Sequence, residues 1–276
     1  GINKDTTPPS NPTSYSSSHT VDVWSSDNTI DITWFGASDD LSGVYGYSYV
    51  WNEGSHTLPD TTVDTTGTSA TSPPLSDGKW YWCCRTRDNV GNWNPGYVYV
   101  GPFCIDTAPP SGSISINAGA TYTTSVSVTL TSTYADATSG VQQVRYSNDG
   151  VWDTETWESP SPTKSWTLTP GDGTKTVYVQ FKDNADLISP PYSDTITLDT
   201  ATPITTIEHS PGSSILSLSA YDETSGVAVT FYRIDGGAWN TYTGPITLTG
   251  AGSHTIDYYS EDNAGNEETH KSKTVI

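Results

Sequence analysis

Apolar residues along this chain recur at every second position in short runs. Val177, Val179 and Phe181 alternate with Tyr178, Gln180 and Lys182, and Trp82, Cys84 and Thr86 alternate with Cys83, Arg85 and Arg87. Ile256, Tyr258 and Ser260 repeat the pattern, and Ile30, Ile32 and Trp34, then Val126, Val128 and Leu130, mark earlier runs of the same kind. Period-two alternation with one apolar face predicts a half-buried strand. Asp149-Gly150 and Asp235-Gly236 sit where a hairpin turn is expected, each followed by a tryptophan, Trp152 or Trp239. With 18 prolines and 24 glycines spread through 276 residues, the pattern predicts many short strands and no long helix.

Three motifs recur in one order in three successive stretches. The first is a proline step, Asp5-Thr6-Thr7-Pro8-Pro9, then Asp106-Thr107-Ala108-Pro109-Pro110, then Asp199-Thr200-Ala201-Thr202-Pro203. The second is Asp-x-x-Ser-Gly-Val, at Asp39–Val44, Asp136–Val141 and Asp222–Val227. The third is Asp-Asn-x-Gly-Asn, at Asp88–Asn92 and Asp262–Asn266; the middle copy, Asp183-Asn184-Ala185-Asp186-Leu187, keeps only its first two residues. Stretches of this length with about seven short strands read as β-sandwiches. The expected fold is all-β, three tandem immunoglobulin-like sandwiches at residues 1–105, 106–198 and 199–276, joined by short Asp-Thr-x-Pro linkers.

On these motifs the chain resembles the immunoglobulin-like and fibronectin-type-III-like repeats of prokaryotic surface and secreted proteins, over nearly all of residues 5–276. The resemblance implies the sandwich fold and an extracellular setting. It leaves function open, because such modules serve as stalks, filament subunits, adhesins and spacers beside secreted enzymes.

Placed on that sandwich, the Ser-Gly motif is the B–C loop, the Asp-Asn motif is the F–G loop, and the proline step enters at the same end. Asp5, Asp39 and Asp88 are therefore expected at one pole of the first unit. The same placement groups Asp106, Asp136 and Asp183 in the second and Asp199, Asp222 and Asp262 in the third. Carboxylates brought to about 6 Å repel by roughly 3 kcal/mol per pair at an effective dielectric near 20, a cost that a cation removes. Ca²⁺, with six to eight oxygen ligands in irregular geometry, is the natural candidate. The competing reading is turn chemistry, since an aspartate ahead of x-x-Ser-Gly caps its own turn and Asp-Asn-x-Gly is a good turn sequence alone. In the middle copy Asp186 stands for the glycine, and either adds a ligand or spoils the loop.

Composition bounds the partners. Acidic residues outnumber basic ones 31 to 11, for a net charge of −20, which argues against nucleic acid or an anionic membrane surface. No apolar run approaches a membrane span. The absence of methionine reads residue 1 as a processing site or a cut from a longer protein.

Alternation puts Cys84 toward the core and Cys83 outward, and with Phe103 and Ile105 inward it leaves Cys104 outward too. Cys83 and Cys104 are then the expected disulfide, with Cys84 a buried free thiol; three reduced thiols are the alternative. Trp34, Trp82 and Trp166 read as core, whereas Trp93, Trp152, Trp157 and Trp239 lie near loops and either stack on glycans or pack on turns. The five histidines share no motif with a serine or cysteine nucleophile, so the chain reads as a non-enzyme.

Two functions fit. One is a structural or adhesive subunit of a microbial surface filament, stalk or surface layer, self-associating when residues 1–7 or Ser272–Ile276 add to a neighbour's sheet. The other is a carbohydrate- or ligand-binding accessory region of a larger secreted hydrolase or adhesin.

Overall fold

Alternation decides which face of each strand is buried. In the computed structural model, which describes residues 4–276, the strand Gly78–Asp88 turns Trp82 and Cys84 into one core. Gly173–Asp183 turns Val177, Val179 and Phe181 into a second, and His254–Asp262 turns Ile256 and Tyr258 into a third. The expected run at Val126 is met only from Val128 on: Val126 precedes the strand Ser127–Ala135 and is exposed. Of the segment expected to add to a neighbouring sheet, residues 1–3 lie outside the described residues.

Each stretch folds as two facing sheets. In the first, Asp31–Phe35 lies between Ser14–Ser17 and Ser69–Thr71, and the second sheet runs Trp24–Ser25, Val98–Ile105, Gly78–Asp88, Val44–Glu53. In the middle stretch Ser127–Ala135 lies between Ser111–Ile116 and Thr163–Thr167, opposite Val141–Ser147, Gly173–Asp183, Tyr192–Leu198 and Tyr122–Thr123. In the last, Ile215–Tyr221 lies between Ile204–His209 and Ile246–Thr247, opposite Asn240–Thr241, Val227–Ile234, His254–Asp262 and Lys271–Val275. Lettered in chain order, the first sandwich has A at Ser14–Ser17, B at Asp31–Phe35, C at Val44–Glu53, E at Ser69–Thr71, F at Gly78–Asp88 and G at Val98–Ile105, and A, B and E against C, F and G make the arrangement of an immunoglobulin-type sandwich. The fold is all-β.

Among the described residues, two of the strand pairings are parallel. Trp24–Ser25 and Tyr122–Thr123 each run alongside the last strand of their sandwich and cover its edge. The third sandwich has only the turn Ser210 to Ser214 at that place, so Lys271–Val275 ends its sheet. Lysines at 271 and 273 on this edge disfavour uncontrolled pairing. The Asp235-Gly236 step has both residues at positive φ, 50° and 70°, as a type I′ hairpin turn requires.

The three cores share no residue. Trp34 and Trp82, fully buried with ring centroids 4.9 Å apart, fill the first; Leu130, Phe181 and Ile116 fill the second, and Leu216 and Ile256 the third. In calorimetry of the whole chain, Leu130→Ala should therefore lower the transition of the middle sandwich alone, by about 2–5 kcal/mol. A uniform shift of every transition would show that the three do not unfold as separate units.

Candidate metal centres at the poles of the sandwiches

Each Ser-Gly loop is folded around one carboxylate oxygen. Oδ1 of Asp39 accepts the backbone N–H groups of Leu41, Ser42 and Gly43 at 3.2, 2.8 and 2.8 Å. Oδ1 of Asp136 does the same for Thr138, Ser139 and Gly140, and Oδ1 of Asp222 for Thr224, Ser225 and Gly226. The glycine closing each turn has a φ of 79°, 81° or 76°, a left-handed conformation that a side chain would strain. The Asp-Asn loops are built alike. Oδ1 of Asp88 accepts from Val90, Gly91 and Asn92, that of Asp183 from Ala185 and Leu187, and that of Asp262 from Ala264 and Asn266. The following asparagine, Asn89, Asn184 or Asn263, donates its amide to the carbonyls of the Ser-Gly pair and locks the two loops together.

The nine aspartates expected to cluster stand in three groups: Asp5, Asp39 and Asp88; Asp106, Asp136 and Asp183; Asp199, Asp222 and Asp262. Within each group one oxygen per residue lies within 4.8 Å of the others. Since Ca²⁺–oxygen distances run about 2.3–2.6 Å, one ion between them reaches all three. Asp88, Asp106, Asp183, Asp199 and Asp262 are buried. Among the described residues, none of the nine is in an ion pair with a lysine, arginine or histidine. For the buried pair Asp106 and Asp183, like-charge repulsion at this distance is about 3–4 kcal/mol at an effective dielectric near 20.

The middle pole differs from its neighbours. At the outer two, the last asparagine of the loop donates to the second oxygen of the buried aspartate: Asn92 to Asp88 Oδ2 at 2.7 Å and Asn266 to Asp262 Oδ2 at 2.9 Å. Leu187 holds that position in the middle, and Asp183 Oδ2 is enclosed with no hydrogen-bond partner among the described residues. Burial pushes the Asp183 carboxyl above its usual range, against the N–H groups of Leu187 and Ala185, with Asp106 and Asp136 adding repulsion. At Asp88 burial acts the same way, but the Asn92 amide and the N–H groups of Asn92, Gly91 and Val90 outweigh it and hold the carboxyl low. Asp186 neither joins the cluster nor spoils the loop. It takes a φ of 63°, points into solvent within 3.5 Å of Lys182, and leaves the closing bond from Asp183 N–H to Leu187 O at 3.1 Å.

The proline step is held from both sides. Its aspartate reaches forward: Asp106 Oδ2 accepts from Ser139 N–H at 3.2 Å, and Asp199 Oδ2 from Ser225 N–H at 3.1 Å. Its threonine reaches back: Thr107 donates N–H and Oγ1–H to Asp77 at 2.8 Å each, and Thr200 does so to Asp172 at 3.0 and 2.9 Å. Asp77 and Asp172 were not among the expected site residues, although both stand in an Asp-Gly step opening the penultimate strand. At the equivalent place in the third sandwich stands Ala251.

The expected disulfide is not formed. Cys83, Cys84 and Cys104 are free and buried. Strand faces are as alternation predicts, but Cys83 lies opposite Tyr99 and Cys104 opposite Lys79, so the register holds the two cysteines apart. The outward sulfurs are also buried, Cys83 beside Asn52 and Cys104 on the strand that Trp24–Ser25 pairs with, opposite Trp24. Burial raises the pKa of all three thiols.

The loop tryptophans each carry a cation over the ring. Arg85 lies over Trp93 at 4.9 Å, Arg145 over Trp152 and Trp157 at 4.6 and 4.4 Å, and Arg233 over Trp239 at 4.8 Å. All four are half-buried, so their packing is accounted for within the chain.

No protein-family model matches the chain, and no curated protein matches it in sequence. Among solved structures, the fibronectin(III)-like modules of Clostridium thermocellum CbhA align over 67% of this chain and 94% of their own, at 15% identity and a TM-score of 0.34. The three N-terminal domains of the highly immunogenic outer capsid protein (Hoc) of bacteriophage RB49 align over 95% of this chain and 96% of theirs, at 11% identity and a TM-score of 0.37.

The cysteine geometry is open to direct measurement. A thiol reagent should label none of the three in the native protein and all three once it is unfolded without reductant. Fewer than three after unfolding would restore the disulfide.

Proposed function

We propose that this chain is a non-catalytic, extracellular structural protein, a run of sandwiches in a surface stalk, filament or layer whose joints are fixed by divalent cations. The observation that carries the reading is the Asp-Thr step. Its threonine is bonded to the sandwich behind, while its aspartate enters the acidic pole of the sandwich ahead. A cation bound at that pole draws together two loops and the linker, and so restricts bending between consecutive sandwiches. The donor set suits a hard cation of calcium size: carboxylate oxygens only, on irregular loops, with backbone carbonyls nearby. Asp5 Oδ2 and Asp183 Oδ2, enclosed and unpartnered among the described residues, are the groups such an ion would satisfy. Chemistry on a substrate has no place in this reading. The histidines lie apart with separate partners: His56 stacks on Tyr99, His209 bonds the Ser213 carbonyl and His254 bonds Asp235.

Self-association follows from the same logic. A chain carrying −20 charges repels its own copies in water, and a divalent ion lowers that charge while stiffening the rod. At one hundred times its dissociation constant a bound ion stabilises its site by about 2.7 kcal/mol, which for a domain of this size raises the melting temperature by several degrees. Adding CaCl₂ to the purified chain should produce that rise and excess EDTA should reverse it, with fibres or arrays visible by electron microscopy of native material. A melting temperature indifferent to both additions would remove the cation from the reading. Monomers at high concentration would remove the assembly.

A further inference from the structure

We infer that the middle pole is the cation-dependent joint of the chain, because a cation there takes the place of an amide that secures the other two. This rests on the reading that the poles bind a divalent cation. Three positions after each F–G loop asparagine comes the residue that decides the matter: Asn92, Leu187 or Asn266. In the third sandwich the Asn266 amide donates to Asp262 Oδ2 at 2.9 Å and to the linker carbonyl of Asp199 at 3.0 Å, so one side chain fastens loop to linker. In the first, Asn92 donates to Asp88 Oδ2 at 2.7 Å and to the carbonyl of Asp5 at 3.4 Å. Leucine can make neither bond.

The consequence is local and chemical. The Asp183 loop keeps the backbone shape of its counterparts, with N–H to carbonyl closure at 3.1 Å against 3.0 and 3.1 Å in the first and third units. Asp183 Oδ1 is turned to the loop N–H groups, as in the others. Its Oδ2 occupies the place where an asparagine amide would meet it, in a fully buried residue, without a donor. Asp106 and Asp136 each present one carboxylate oxygen within 4.8 Å of a carboxylate oxygen of Asp183. A divalent cation at that point supplies the positive partner that Leu187 withholds, and bridges Asp183 to Asp106, the linker residue. At the third pole every oxygen of Asp199 and Asp262 already accepts a hydrogen bond. The first pole also has an unpartnered oxygen, on Asp5, but its loop carboxylate is held by Asn92.

The test is calcium titration of the whole chain by isothermal calorimetry, on wild type, Leu187→Asn and Asn266→Leu. Wild type should show one Ca²⁺ bound more tightly than the rest. Leu187→Asn should weaken that event about 10–100-fold, the range seen when a group supporting metal ligands is changed, and make the melting of the middle sandwich insensitive to EDTA. Asn266→Leu should do the reverse and create a second tight event. If wild type binds calcium but both variants titrate as it does, the amide-for-cation exchange is wrong while the cation reading stands. If wild type binds no calcium at all, both are wrong.

Discussion

A carboxylate has two oxygens, and the poles of this protein depend on dividing them. One oxygen of Asp39, Asp136 or Asp222 is consumed by three successive N–H groups, and that bond set creates the Ser-Gly turn. The other takes no part in the turn. A turn role at these residues therefore does not exclude the proposed cation. The turn fixes the carboxylate in place, and the fixed carboxylate leaves an oxygen facing its neighbours. Gathering acidic groups this closely in a loop would otherwise be opposed by their repulsion. Backbone N–H groups, which carry partial positive charge, offset part of it, and Asn89, Asn184 and Asn263 hold the second loop against the first.

The same economy explains the joint. In the Asp-Thr step two adjacent side chains are committed in opposite directions, threonine to the sandwich already formed and aspartate to the one that follows. Backbone bonds add to this, since Asp106 N–H reaches Ser25 and Asp199 N–H reaches Thr123, extending the short parallel strand by one residue. The prolines that come next fix φ and supply no donor, so the chain leaves the joint in an extended path with few alternatives.

The sandwiches, their loops and the nine clustered aspartates were legible in the sequence because each follows from a local signal. Strand faces follow from alternation. Loop identity follows from motif order, and a motif repeated three times places its copies at equivalent points. What failed was register. Cys83 and Cys104 do share the outer side of adjacent strands, yet nothing local says which residue of one strand faces which of the other. A register irregularity between Trp80 and Trp82 shifts the pairing further. The clamp at Asp77 and Asp172 was hidden for another reason: an Asp-Gly step reads as a turn, and its use as an acceptor for a distant threonine appears only once the next unit is in place. For the loop tryptophans the sequence left packing and glycan stacking both open, because it does not show that an arginine of the strand just before each loop lies over the ring.

Charge separates the poles from the rest of the surface. At physiological salt the Debye length is about 8 Å, so most of the acidic surface is screened and its composition governs solubility more than shape. Asp88, Asp183 and Asp262 are buried and are screened far less. Their partners must come from within: a backbone N–H, an asparagine amide, or an ion held at the site. The first two are encoded permanently and hold whatever the medium contains. The third depends on the medium. On the proposed reading, a repeated sandwich that exchanges a single asparagine for leucine changes which of these holds a joint, while the turn, the core and the strand order stay the same.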